Sequence, residues 1–302
     1  MSEHIQESVR ALLAGIVDYA GLFPPSALSM PEAVINYATY KNSNYSWMLG
    51  RFVVPVSRLG EFTESAKDFF TRGGQQDAWK LSVLASEDIY ETVRLVEDFN
   101  AEYAPYAECD ALEIKADSAS IIGEYAEAIP PQFTNYFEIP IVGKDFGEMV
   151  VALAMTKQRA KLRTGGTTPE AFPRPDEITR FIRTCSAANV PFKATAGLHH
   201  PVRCQKSLTY EKNAPVGMMY GFLNVFLAAA FARQGFKPSL LNELLEDEWA
   251  ESFIFDSHGV WWRQEHFLST AYLKLLRERG AISFGSCSFE EPITDLQDLE
   301  IL

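Results

Sequence analysis

RAKLRTGGTTPEAFPRPDEITRFIRTCSAANVPFKATAGLHHPVRC, residues Arg159 to Cys204, is the stretch that decides the fold. Two short runs inside it share one pattern: a lysine on an apolar, strand-like segment, with a glycine four residues later. These are Lys161 with Gly165 and Lys193 with Gly197. A helix-length segment separates them, so the two strands can lie parallel and adjacent, as a strand, helix, strand unit requires.

Working outward, the same alternation repeats from Arg51 to the end. Strand candidates are 51–56, 79–85, 110–116, 135–141, 159–165, 190–197, 251–258 and 281–287, with helical segments between them. Eight strand-helix units without a hairpin signal predict a parallel sheet, and right-handed crossovers can close eight such strands into a ring. The expected fold class is therefore α/β, a (β/α)8 TIM barrel formed by residues 51–302 as one structural domain. Residues 1–50 are expected as an extra helical N-terminal segment packed on it. That segment reads as a helix over 4–17 with Ile5, Val9, Leu12, Leu13 and Ile16 on one stripe, then a loop, DYAGLFPPSALSM, expected to plug one end of the barrel. The irregular connection His199 to Pro215 falls on the face where barrels build their sites.

Strand side chains alternate, so residues two apart share a face. Glu113 and Lys115 oppose Leu112 and Ile114; Glu138 opposes Phe137 and Ile139. Lys161 and Arg163 oppose Leu162, and Lys193 and Thr195 oppose Phe192 and Ala194. Because the helix-facing layer must be apolar, the charged set is predicted to point inward. Two carboxylates against four cations predicts a locally positive interior within a protein of formal net charge -13. That inversion suggests a small anionic substrate, a carboxylate or a phosphate. Two adjacent buried amines would also activate one another, since burial and a neighbouring cation both disfavour the ammonium form. Adjacent strands feed alternate layers, which predicts a small height offset between the two lysines. Glu113 and Glu138 are placed to move protons beside them.

At AKLRTGG and FKATAG the chain resembles the class I aldolase barrels, most nearly the deoxyribose-phosphate aldolase family. The resemblance covers about 40 of 302 residues. It matches Lys161, Thr164 and Gly165 to one signature and Lys193, Ala194 and Gly197 to a second. It implies that Lys161 forms a Schiff base, that Lys193 tunes it, and that the chemistry is carbon-carbon lyase chemistry without a cofactor. The chain departs from that pattern in three ways. The family carries its lysines on strands six and seven, whereas the strand count above gives five and six. Arg163 is additional, and AGLHHP replaces a glycine-rich phosphate turn.

Other signals compete. His199, His200, Asp256, His258 and Glu138 all fall near strand ends and would suit a metal-dependent hydrolase or lyase, although no HxH or HExxH spacing occurs. A barrel that binds an anion without turnover is the non-enzymatic alternative. Ser288 and Glu291 in FGSCSFEEP form a capping-box pattern, which leaves Ser286 as the contact candidate there. The substrate-binding set is thus Lys115, Arg163, Thr195, His199, His200, Asp256, His258 and Ser286. The acidic balance argues against nucleic acid and anionic membranes as partners. MSEHIQESVR lacks an apolar signal-peptide core, and four scattered cysteines suggest free thiols, so a cytoplasmic protein is expected. A homo-oligomer is compatible with all of this.

Overall fold

The structure is a computed structural model that describes residues 5–70 and 78–302. Its centre is a closed barrel of eight parallel strands. Strands β1 (Val17–Tyr19), β2 (Leu49–Pro55), β3 (Trp79–Leu84), β4 (Ala107–Lys115), β5 (Thr134–Glu138), β6 (Arg159–Arg163) and β7 (Phe192–Thr195) follow in order around the ring. Two antiparallel pieces then interrupt the pattern. These are a hairpin, β8 (Cys204–Ser207) with β9 (Val216–Met219), and a three-stranded sheet, β10 (Phe253–Phe255), β11 (Gly259–Trp262) and β12 (His266–Ser269). Strand β13 (Ala281–Ser286) closes the ring between β7 and β1.

The barrel expected from the sequence is present, but two of its strands differ. The segment 251–258 supplies β10, which pairs antiparallel with β11 outside the ring. Its place is taken by Val17–Tyr19, from within the 1–50 segment expected only as a helical extension. That segment therefore contributes a barrel strand as well as helices packed on the ring. Each pair in the ring is parallel, and Lys115, Glu138, Lys161 and Lys193 lie opposite one another in register across β4 to β7. Lys161 and Lys193 are direct register partners on neighbouring strands.

Helices α1 (Glu7–Leu13), α2 (Met30–Lys41), α3 (Leu59–Phe70), α4 (Ile89–Tyr103), α5 (Ala119–Ala128), α6 (Phe146–Met155) and α7 (Pro175–Ala187) cover the first strands. Residue 4, in the helix expected over 4–17, lies outside the described residues. The chain continues with α8 (Phe222–Arg233), α9 (Pro238–Leu245), α10 (Thr270–Arg279) and α11 (Glu290–Asp298). The apolar run from Val216 to Arg233 forms β9 and then α8. Residues Phe222–Phe231 of α8 are all buried, because α7, α9 and α10 surround it while its inner side meets β13. Among the described residues no helix is long and apolar enough to cross a membrane. The four cysteines are free thiols.

The core is the apolar layer between ring and helices, where Leu112, Phe137, Leu162 and Ala194 are fully buried, as alternation requires. Gly50, on β2, is fitted to the first strand. A Cβ there would stand 2.4 Å from Asp18 Oδ1 and 3.1 Å from the carbonyl oxygen of Val17. Replacing Gly50 by Ala is therefore expected to lower stability by about 1–3 kcal/mol, the ordinary cost of overfilling a packed site. Urea unfolding of the variant measures it. An unchanged midpoint would mean that Asp18 does not pack against β2.

Candidate functional site

The interior charges are not isolated. They form one connected set to which every barrel strand contributes a group. From β7, Lys193 Nζ reaches Asp18 Oδ2 on β1 and Glu113 Oε1 on β4, both at 2.6 Å. From β6, Lys161 Nζ lies 2.9 Å from Glu113 Oε2 and 2.7 Å from Glu138 Oε2 on β5. Ser82 on β3 donates its hydroxyl to Glu113 at 2.7 Å, and Ser283 on β13 donates to Asp18 at 2.8 Å. The backbone amide of Arg51 on β2 donates to the other Asp18 oxygen at 2.8 Å.

Asp18 was missed in the sequence, where it reads as part of a loop. Its presence changes the charge balance: Asp18, Glu113 and Glu138 face Lys161 and Lys193 in the interior. The expectation of a buried cation excess is thus corrected. Arg163 and Lys115 add positive charge at the mouth, where the Arg163 guanidinium is half exposed with Glu138 at 3.5 Å. Nor do the two amines face one another without compensation, because Glu113 bridges them.

The electrostatics follow from this geometry. Burial alone would pull the Lys193 pKa down, but Asp18 and Glu113 reverse that and hold it above the ordinary lysine value. Burial would raise the Glu113 carboxyl, yet Lys161, Lys193 and the Ser82 hydroxyl together hold it well below the usual carboxylate range. Glu138 is likewise lowered, by Lys161 and by Arg163 and Lys115 against its own burial. The expected mutual activation of the lysines therefore does not apply to Lys193, which stays charged.

Above this network opens a cavity of about 980 Å³. Lys161 lines it and Lys193 does not, with side chains 8% and 1% exposed respectively. The two lysines thus divide: one borders the cavity, the other is locked beneath it with its ammonium 5.4 Å from the ring centre of Tyr136. Glu113, Glu138, Lys115, Arg163, Thr195, His199 and His200 also line the cavity. Ser286 sits just behind, its hydroxyl 3.3 Å from His199 Nδ1. Asp256 and His258 are elsewhere. Asp256 terminates β10 and accepts the backbone amides of His258 and Gly259, and His258 is exposed. The five-residue metal-ligand set is therefore not assembled, and among the described residues no group of three or more His, Cys, Asp or Glu side chains is placed to hold a metal ion.

Two further residues belong to the site. The Ser288 hydroxyl accepts the Glu291 amide at 3.1 Å, as in a capping box, but the Glu291 carboxylate does not return to Ser288. It turns to His199 Nδ1 at 3.1 Å and accepts the Tyr210 hydroxyl at 3.0 Å. Desolvation would raise the Glu291 carboxyl, and the His199 contact outweighs it, so its pKa is lowered. His199 Nδ1 thus lies between the Glu291 carboxylate and the Ser286 hydroxyl, which fixes the orientation of the ring. Tyr210 belongs to the connection expected to be functional. That connection folds as the β8–β9 hairpin, and Leu208, Thr209, Tyr210 and Met219 line the cavity from it.

The glycines of the repeated lysine-glycine pattern have a packing role. A Cβ on Gly165 would meet the Phe172 ring at 2.4 Å, and one on Gly197 would lie 3.0 Å from Gly165 Cα. Gly197 also has φ +68°, which an L side chain adopts only at a cost. The strand ends β6 and β7 therefore converge under Phe172.

Replacing Lys193 by Met leaves Asp18 and Glu113 without their shared amine in a closed interior, and should cost about 3–5 kcal/mol. Replacing Lys161, which borders the open cavity, should cost clearly less; equal losses in urea unfolding would contradict this division. The pH dependence has a definite sign. The lowered Glu113 contributes fully above its unfolded value of about 4.3 and loses that contribution as pH falls through its depressed folded value. The raised Lys193 contributes fully below about 10.4 and loses its part as pH rises through its higher folded value. Stability from this network should thus be flat between about pH 5 and 10, and a marked slope near neutrality in unfolding free energy would count against it. No family model matches the chain and no curated protein matches it in sequence, so its function has to be read from the chemistry of this cavity.

Proposed function

We propose that the protein is a carbon-carbon lyase of aldolase type that binds a small anionic carbonyl compound as an imine on Lys161. The observation that carries this is the position of the Lys161 amine: nearly buried, bordering a large cavity, and between two carboxylates of which one is locked in place. Counting β1 as the first strand puts Lys161 on the sixth and Lys193 on the seventh. This removes one departure from the aldolase family that AKLRTGG and FKATAG resemble, and so supports the reading.

The chemistry assigns each group a task. Glu138, 2.7 Å away, takes a proton from the Lys161 ammonium, and the neutral amine adds to the carbonyl carbon of the substrate. The carbinolamine loses water as Glu138 returns that proton to the departing hydroxyl. The resulting iminium withdraws electrons from the neighbouring carbon-carbon bond, which breaks to an enamine while a base removes the hydroxyl proton of the leaving aldehyde. His199, in the loop that follows β7 and oriented through Nδ1 by Glu291, is that base. Protonation of the enamine carbon and addition of water then release the second product and restore the amine. Glu113, held anionic by Lys193 and Ser82, stabilises the cationic imine without exchanging protons. Lys115 and Arg163 at the mouth attract the anionic end of the substrate.

Borohydride reduction in the presence of pyruvate, phenylpyruvate or dihydroxyacetone phosphate tests the mechanism. At least one carbonyl should leave a stable adduct on the peptide containing Lys161, and the adduct should vanish in Lys161→Met. Trapping that persists in that variant, or no trapping with any of the three, would remove the imine and favour a barrel that binds anions without turnover.

A further inference from the structure

The cavity is larger than an imine centre and an anionic group require. Its volume, about 980 Å³, lies at the top of the range of about 300–1,000 Å³ that holds drug-sized ligands. Its lining is also divided by strand. Five of the six groups from β4, β5 and β6 are charged, namely Glu113, Lys115, Glu138, Lys161 and Arg163, with Ile114 the exception. Those from β1, β2, β3 and the segments that follow them are mainly apolar: Phe23, Pro24, Pro25, Val53, Val56 and Leu84. The polar members of that wall are Ser57, Ser86 and Glu87, none of them a cation.

In the ring order, β2 stands four strands from β6 in either direction, so the apolar wall lies across the mouth from Lys161 and Arg163. The hairpin adds Leu208 and Met219 above. Phe23 and Leu84 are only partly buried by the protein itself. Apolar surface left open in a concave site gains most when a ligand covers it.

We infer that the substrate is amphipathic: an oxo acid or oxo phosphate whose anionic end lies at Lys115 and Arg163, and whose body is an aryl or branched alkyl group covering the β1–β3 wall. A three-carbon sugar fragment leaves that wall bare. The inference rests on the cavity being the substrate site, but it does not need the imine.

Calorimetric binding of pyruvate and phenylpyruvate tests it, since the two acids share one oxo-carboxylate and differ by a phenyl ring. Phenylpyruvate should bind the full-length protein about tenfold tighter or more. Leu84→Asn should narrow that ratio, with an unchanged melting temperature showing that the variant is folded. Phe23→Ala, in a different segment of the same wall, provides the same reading should Leu84→Asn fail to fold. Repeating the measurement on Lys161→Met separates the two readings. A preference that persists there, with no borohydride adduct in the wild type, upholds the amphipathic substrate and removes the imine. Phenylpyruvate binding no tighter than pyruvate, or a ratio unmoved in the wall variants, overturns the inference even where trapping succeeds.

Discussion

The chain of contacts Asp18, Lys193, Glu113, Lys161, Glu138 is the constraint on which the rest of the barrel depends. Burying an ion costs several kcal/mol, and the cost is recovered only when each charge has partners at good distance. Here the partners come from every strand of the ring: two lysines, three carboxylates, the hydroxyls of Ser82 and Ser283, and the Arg51 amide. The ring must close for all of these groups to be satisfied at once, because Lys193 reaches Asp18 and Glu113 across strands that are not neighbours. A network of this kind adds less to net stability than the surrounding apolar layer, but it penalises any arrangement in which one strand is out of register, because that strand would strand a buried charge.

The same network explains why two lysines opposite one another in register have different fates. Lys193 is enclosed and held charged by Asp18 and Glu113. It pairs with Glu113, whose carboxyl is held below the usual carboxylate range, and Glu113 in turn reaches Lys161 at the floor of the cavity. Lys161 is left with one carboxylate that is pinned and a second, Glu138, that borders open space and the mouth cations. The two amines thus sit in different settings, one enclosed and one bordering the cavity.

Around that floor the mouth is divided by the order of the strands. Charged groups cluster on β4 to β6, and apolar ones on β1 to β3. The His199, Glu291 and Tyr210 group joins the ends of β7 and β13 to the hairpin. Convergence of β6 and β7 under Phe172, which needs glycine at positions 165 and 197, brings the lysine strands and the histidine loop to one side of the cavity.

By itself the sequence determined the class of fold, the six strands from β2 to β7, β13, and the inward direction of Glu113, Glu138, Lys161 and Lys193. Those follow from local alternation of apolar and charged residues, which a chain carries within a few positions. Three features were decided only by tertiary structure. Val17–Tyr19 is too short to show a period, and it becomes a strand because β13 and β2 offer it edges to pair with. The segment 251–258 has strand character but finds an antiparallel partner in β11, a choice that local pattern does not encode. Glu291 carries the spacing of a helix cap, and only the approach of His199 and Tyr210 turns its carboxylate toward the cavity. Alternation fixes which face a side chain takes. Which charges meet on that face, and hence whether an amine is locked or open, is fixed by the closure of the ring, because electrostatic pairing depends on distances between strands far apart in the chain.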